Sequence, residues 1–522
     1  MKSRTVMYLL RLPVFLCFPL LSICLSKSAL AQLVPSPTES LPPPVTLPIA
    51  APATTPVAAP VTPVASSTAQ KLYALAQNDL LQLRVLLKNG RSQSTVGSGF
   101  LIGTSNLVIT NFHVVSQLAL EPETYFGEYK DTQGKSGALE LLAVDVQHDL
   151  AVVRINRQGT GFFNLPENPT PLTQGEHLYS LGNPLDLGFT ISEGTYNGLT
   201  HRGFSDQIMF TGPVNSGMSG GPNVNVNGEV AGVNVAHRRD GELVSFLVPA
   251  GYAQALLASV INMANSTLSA TPPNEGEQPT NLTPPVDAAQ TLDSAPTTNP
   301  IPTPETKTTT DKTPAISAQP SIDFKPIIGQ QLLAHQSLMI EKLLEKPLSI
   351  KILGPYSVPV RESEQVRCWG NSDAKADKTY STDQINCAME SAIFVSDDLQ
   401  TGYIAIHHQF ISSTKLNPLR FAVLMGKFFS NEIRGNTKDK TLTTPHCAEQ
   451  FINNRNYTAR AVLCVEAYQK FDDLYNFKLI TATSDEALMN LQSSLELNGV
   501  SYANGQKFVT QFLASFDKES AK

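Results

Sequence analysis

The chain is poor in the features that most directly announce a function. Only one of its 522 residues is tryptophan, aromatic residues make up 7%, and Asp and Glu outnumber Lys and Arg 45 to 38. A formal charge of −7 with no basic cluster excludes nucleic acid as an expected partner, because that affinity rests on neutralised phosphates. Beyond the first 31 residues no stretch holds 18 uninterrupted apolar residues, so no transmembrane helix is expected in the mature chain. No CxxC or His-rich spacing marks zinc, and no motif supports calcium or a nucleotide. The expected cofactor list is empty, metals included.

What is present starts with a leader. Lys2, Arg4 and Arg11 precede the apolar run Leu12–Leu25, and Ala29-Leu30-Ala31 supplies small residues for cleavage. This three-part pattern predicts a signal peptide over residues 1–31 and a mature chain from Gln32, exported to a periplasm or secreted. Leu21-Ser22-Ile23-Cys24 is a loose lipoprotein box, disfavoured because Ile23 is bulky where a small residue is wanted. Cleavage removes four basic and no acidic residues, leaving 34 against 45 and a charge of −11. It also removes Cys17 and Cys24. The remaining Cys368, Cys387, Cys447 and Cys464 all lie in the last third, an even number in an exported chain, which favours two disulfides. Three pairings are possible. Cys368–Cys387 with Cys447–Cys464 is preferred, because each pair brackets a short segment.

Proline divides the chain. Residues 33–66 hold 10 of the 37 prolines and residues 266–321 hold 11, with no aromatic residue in either tract. Such sequences bury too little apolar surface to offset chain entropy, so disordered linkers are predicted over 32–67 and 263–321, long enough to let the flanking domains move independently. Residues 68–262 between them read as short strands bounded by Gly, Asn or Pro ("LQLRVLL", "NLVITN", "LAVVRI", "EVAGVNVA"), with a helix closing at 250–262. Residues 322–522 read as a separate α+β domain. Ile328, Leu332, Met339 and Leu343 form a helical apolar face that Pro347 stops, strands follow at "SAIFVSD", "TGYIAIHHQF" and "FKLITATS", and Ser484-Asp485-Glu486 opens a helix that Asn498-Gly499 ends. Trp369 is expected to pack near a disulfide, and His407 and His408, adjacent on a strand, should face opposite ways.

The chemistry concentrates in "NSGMSGGP", residues 215–222. Serine becomes a nucleophile only when a base takes its proton and an acid holds that base in the right tautomer. His113 in "VITNFHVV" is the candidate base, expected at a strand end; His148, His201 and His237 compete in more polar contexts. Asp149 in "HDLAVVRI" is the candidate acid, with Asp145 the alternative. Gly217 and Gly220-Gly221 permit a tight turn around Ser219 that aims backbone amides inward.

The order His113, Asp149, Ser219, together with "VGSGFLIG", "LYSLGNPLDLGFTISEGTYNG" and "FLVPAGYAQAL" in register, resembles the trypsin-like serine peptidases of the chymotrypsin fold, most of all their HtrA-like (Deg-type) branch. The resemblance covers roughly residues 80–260. It implies an all-β pair of six-stranded barrels, a catalytic triad of His113, Asp149 and Ser219, an oxyanion hole from the Gly217 and Ser219 N–H groups, and protein or peptide substrates. The residue six positions before the nucleophile, which selects Lys or Arg when acidic, is Pro213. With pocket walls from Asn234, Val235, Phe246 and Leu247, small or medium apolar side chains are expected before the cut. Two departures stand out: Met218 occupies a position usually held by Asn or Asp, and nothing resembles a PDZ domain. The alternative to an exported serine endopeptidase is therefore an inactive pseudoprotease that binds or adheres in the envelope. The C-terminal domain is expected to be an accessory that meets an envelope partner.

Overall fold

The computed structural model describes residues 66–166, 170–235, 244–269, 322–375, 377–433, 440–454 and 456–518. The signal peptide and most of both proline-rich tracts lie outside these residues. At their edges the described chain is more helical than expected. α1 (Ser67–Ala76) begins inside the first tract, where the Ser66 side chain caps the Ala69 N–H, and the closing helix α3 (Ala250–Ser269) runs seven residues past 262.

Two closed antiparallel barrels follow α1, as the resemblance implies. The first contains β1 (Leu80–Leu87), β2 (Gln93–Leu101), β3 (Leu107–Thr110), β4 (Tyr125–Asp131), β5 (Ser136–Asp145) and β6 (Leu150–Ile155), in the order β1-β2-β3-β6-β5-β4. The second contains β7 (His177–Gly182), β8 (Thr190–Arg202), β9 (Ser205–Phe210), β10 (Pro222–Asn225), β11 (Val230–Val235) and β12 (Ser245–Pro249), in the order β10-β11-β12-β9-β8-β7. The side-chain alternation of a strand explains why "LAVVRI" carries almost no polar residue. On β6, Ala151, Val153 and Ile155 enter one apolar cluster, while Leu150 and Val152 enter another that includes α1 and α3. One helix interrupts the first barrel, α2 (Phe112–Leu120).

The C-terminal domain is α+β. Its elements are α4 (Phe324–Leu344), β13 (Ser349–Leu353), β14 (Tyr356–Val360), β15 (Val366–Asp373), β16 (Ser381–Met389), β17 (Ile393–Ser396), β18 (Leu399–Thr401), β19 (Tyr403–Ser412), α5 (Pro418–Ile433), β20 (His446–Asn454), β21 (Tyr457–Ala467), β22 (Tyr475–Thr483), β23 (Met489–Val500), α6 (Tyr502–Ala514) and β24 (Asp517–Lys518). Seven strands form one antiparallel sheet, β15-β16-β19-β23-β22-β21-β20. Ala459 and Ala461 of β21 face the cluster holding α4 and α6, whereas Val462 and Cys464 face Phe429 of α5, so helices cover both sides. The disulfides Cys368–Cys387 and Cys447–Cys464 join directly opposed residues of β15 with β16 and β20 with β21. Each fastens an edge strand, the part of a sheet with a neighbour on one side only.

Two expectations about this domain need correction. Residues 489–498 are not helical: β23 lies in the middle of the sheet, between β19 and β22, with Leu491, Leu495 and Leu497 in the core. Its leucine spacing imitates a helix, but pairing along both edges overrides that propensity. Trp369 is 53% exposed on the edge strand β15, next in sequence to the Cys368–Cys387 disulfide. The two halves also share one core, against the expectation of independent movement. Phe324, Ile328 and Leu332 of α4 and Ile393, Val395 and Leu399 of the β17–β18 hairpin cluster with Val115, Ala119 and Leu120 of α2. Each large apolar side chain buried there contributes about 1.5–3 kcal/mol. His407 and His408 do face opposite ways. His408 is buried between the Ser493 hydroxyl and the Pro359 carbonyl, and burial pushes its pKa down to about 4.

Candidate active site

His113 sits in the first turn of α2, not at a strand end. The first N–H groups of a helix lack internal partners, and Asp149 supplies them from 36 residues away. Its carbonyl accepts from the Phe112 N–H at 3.1 Å and its carboxylate Oδ1 from the His113 N–H at 2.9 Å. The Asn111 side chain also donates to the Asp149 carbonyl, at 2.7 Å. With the helix end gripped, the second carboxylate oxygen lies 2.6 Å from His113 Nδ1. Asp149 takes this shape by adopting φ +55°, a left-handed value that Asp tolerates better than most residues. Burial lowers the His113 pKa, but the Asp149 charge and hydrogen bond raise it, joined by the charge of Asp397, and the net direction is upward.

Ser219 comes from the second barrel, in the turn leading into β10. Gly217 and Gly220 have φ +92° and +83°, conformations that strain any other residue. A Cβ at Gly220 would also lie 2.3 Å from both the Ser98 carbonyl and the Thr110 hydroxyl. The turn is closed by Met218 N–H to Asn215 O (2.9 Å) and Gly221 N–H to Met218 O (3.0 Å), and is tied to β11 by Gly220 N–H to Asn234 O (3.0 Å). Ser98 of β2 then fastens it to the first barrel: its N–H donates to the Ser219 carbonyl (2.8 Å) and its hydroxyl to the Gly217 carbonyl (2.7 Å). The Ser98 carbonyl accepts from Thr110 Oγ1, three residues before His113. A short chain of hydrogen bonds, one backbone and one from a threonine hydroxyl, thus runs from Ser219 to the segment carrying His113. Met218 is 1% exposed, and its sulfur accepts from the Asn215 N–H, so the side chain fills the underside of the turn.

The remaining candidates divide. Val235 and Phe246 line a chamber beside His113, and Pro213 is exposed. Asn234 and Leu247 are each 0% exposed and do not form a substrate wall. The Asn234 amide is spent inside the second barrel, accepting from Ser180 Oγ at 2.7 Å and donating to the Leu181 carbonyl at 2.9 Å. Leu247 packs with Leu178, Ile208 and Phe210. Strand alternation turned these two inward while their neighbours faced out. His201 pairs with Asp206 at an exposed hairpin, and His237 lies outside the described residues. Sequence reading missed Ser98, since a single serine in a strand carries no signal of a bond spanning 119 residues.

Residues 97–233 match the family model described as trypsin-like peptidase domain. This stretch is a trypsin-like peptidase domain. The chain is 33% identical over 172 residues to "Putative serine protease HhoB" of Synechocystis sp., covering 31% of this chain and 39% of that protein. It is 30% identical over 175 residues to "Probable periplasmic serine endoprotease DegP-like" of Bartonella henselae, covering 32% and 33%. It is 32% identical over 170 residues to "Serine protease HTRA2, mitochondrial" of Drosophila persimilis, covering 31% and 38%. The match therefore spans well under half of the length of these relatives. No helix among the described residues is long and apolar enough to cross a membrane, and none of their His, Cys, Asp and Glu side chains gather into a group of three that could hold a metal ion.

Proposed function

We propose that the two barrels form a serine endopeptidase in which Ser219 is the nucleophile, His113 the general base and Asp149 the residue that orients it. The observation that carries this reading is the double grip of Asp149 on His113, through both its backbone N–H and ring Nδ1, with Ser219 held against the same barrel by Ser98. With Nδ1–H committed to Asp149, His113 Nε2 is left as the basic nitrogen. It takes the Ser219 proton as Oγ attacks the scissile carbonyl, and the Gly217 and Ser219 N–H groups receive the oxyanion. The tetrahedral intermediate collapses as His113 protonates the leaving amine. Water, deprotonated by His113, then hydrolyses the acyl-enzyme.

Met218 is compatible with this chemistry, because its side chain supports the turn from below and the hole uses main-chain donors. The leader pattern and two disulfides support an exported protein, periplasmic or secreted. A role for the C-terminal domain in meeting an envelope partner belongs to the same proposal. The test is hydrolysis of an unfolded protein such as reduced, alkylated casein by the mature chain and by Ser219→Ala. Fragments from the first and none from the second are expected. Intact casein with well-folded wild type would favour a pseudoprotease.

A further inference from the structure

The C-terminal domain does not stand apart from the candidate site. The β17–β18 hairpin brings the Phe394 ring edge-on to His113, with centroids 6.0 Å apart at 76°, and to the neighbouring Phe112 at 6.4 Å. Gln331 of α4 bonds both ways with the backbone just before Asp149. Its Oε1 accepts from the Val146 N–H at 2.9 Å, and its Nε2 donates to the Val144 carbonyl at 2.7 Å. Gly203, at the tip between β8 and β9, has no room for a Cβ, which would lie 2.7 Å from Ser391 Oγ. The C-terminal domain thus meets both barrels and the segment holding the acid.

These contacts enclose a space rather than fill it. A chamber of about 240 Å3 remains, with His113, Phe204 and Phe246 on the peptidase side and Met389, Phe394 and His335 on the other. His335 is 5% exposed and meets the Phe204 ring edge-on. Phe204, Phe246, Met389 and Phe394 set an apolar patch beside a reactive histidine, among polar residues such as Asp206, Gln207 and Glu390, a lining suited to an apolar side chain.

We propose that this chamber is a substrate subsite built jointly by the two halves of the chain, that it receives a bulky apolar side chain of the substrate next to the scissile bond, and that Phe394 is its specificity-determining residue. The proposal rests on the peptidase reading above and adds a wall that the barrels alone lack. A hairpin serving as a plug would fill the cleft, whereas a chamber of about 240 Å3 beside this one leaves room for one large side chain. Binding energy from that side chain comes from contact with Phe394 and Phe204, and positions the peptide against His113.

The test is a peptide library cleaved by the full mature chain and by Phe394→Ala and Phe394→Trp. Wild type should favour a bulky apolar residue at one position near the cut. Phe394→Ala should lower kcat/KM for those peptides roughly tenfold, mainly through KM, because a truncated aromatic wall forfeits binding contact. Phe394→Trp should shift preference towards smaller residues at the same position. Opposite shifts from the two variants cannot arise from general loosening. An unchanged residue profile in both variants overturns the subsite. A uniform rise for all peptides in Phe394→Ala also overturns it, and identifies a plug. If wild type cleaves no peptide, the peptidase reading itself has failed, a result distinct from either of these.

Discussion

The first barrel contains two His–Asp pairs of nearly identical geometry, and only one is assigned chemistry. Asp149 accepts from the His113 N–H at 2.9 Å and meets its Nδ1 at 2.6 Å; Asp145 accepts from the His148 N–H at 3.1 Å and meets its Nδ1 at 2.7 Å. The difference lies in origin and surroundings. Asp145 and His148 are three residues apart, an ordinary local side-chain-to-backbone turn, and the His148 ring lies flat on Tyr252 of α3, with centroids 3.7 Å apart at 18°. The turn thereby fastens α3 to the barrel. The Asp149–His113 pair joins segments 36 residues apart, and although both histidines border the chamber between the domains, only the His148 ring is stacked on Tyr252. A histidine–carboxylate bond is thus no sign of catalysis by itself. On the proposed reading, what distinguishes the pair is the Ser219 turn, tied through Ser98 and Thr110 to the segment that carries His113.

Replacing the histidines should separate the pairs most sharply. His113→Ala should lower kcat/KM on the order of 10^4-fold or more, and His148→Ala by less than about tenfold, in initial rates on one peptide. Comparable losses in both would erase the distinction. The acids come next. Asp149→Asn keeps an oxygen for the helix N–H groups but favours the wrong tautomer of His113, so a fall on the order of 10^3–10^4 in kcat is expected with an unchanged melting temperature. Asp145→Asn should leave kcat within a few-fold. Stability should show the reverse ranking: His148→Leu removes the Tyr252 stack and the turn bond, costing about 1–2 kcal/mol in thermal unfolding, while retaining turnover at permissive temperature.

The smallest effect concerns pH. His113 must be neutral to accept a proton, and its pKa is raised, so activity should climb through a midpoint above the ordinary imidazole value of about 6.5. Asp397 contributes to that rise from the hairpin between β17 and β18. Removing its charge in Asp397→Asn should move the midpoint of the pH–rate profile to lower pH. A midpoint that stays in place, or moves up, would remove the C-terminal domain from the electrostatics of the site.

The two pairs also show what a sequence can convey. Ordered segments around His113, Asp149 and Ser219 carried the double-barrel fold, because glycine turns and β-branched runs are local signals. The placement of His113 on a helix was not legible, since the cap that starts α2 is Asp149, remote in sequence. Ser98, Gln331 and Phe394 were missed for the same reason: each acts through a contact that only folding creates. Asn234 and Leu247 sat in the right strands but on the inward face, and a one-residue phase decides that. In the C-terminal domain the helical face of α4 and the disulfide pairing were readable from local spacing. β23 was not, because its leucines recur at intervals that suit a helix and its two neighbours in the sheet decide otherwise.

The central claim, that Ser219 and His113 form one working unit, is tested most directly by labelling the folded mature chain with a fluorophosphonate probe and mapping the adduct by mass spectrometry. The account predicts a single adduct on Ser219 that is lost in His113→Ala and kept in His148→Ala. No adduct in folded wild type, or one on Ser219 that survives His113→Ala at the same rate, would contradict it.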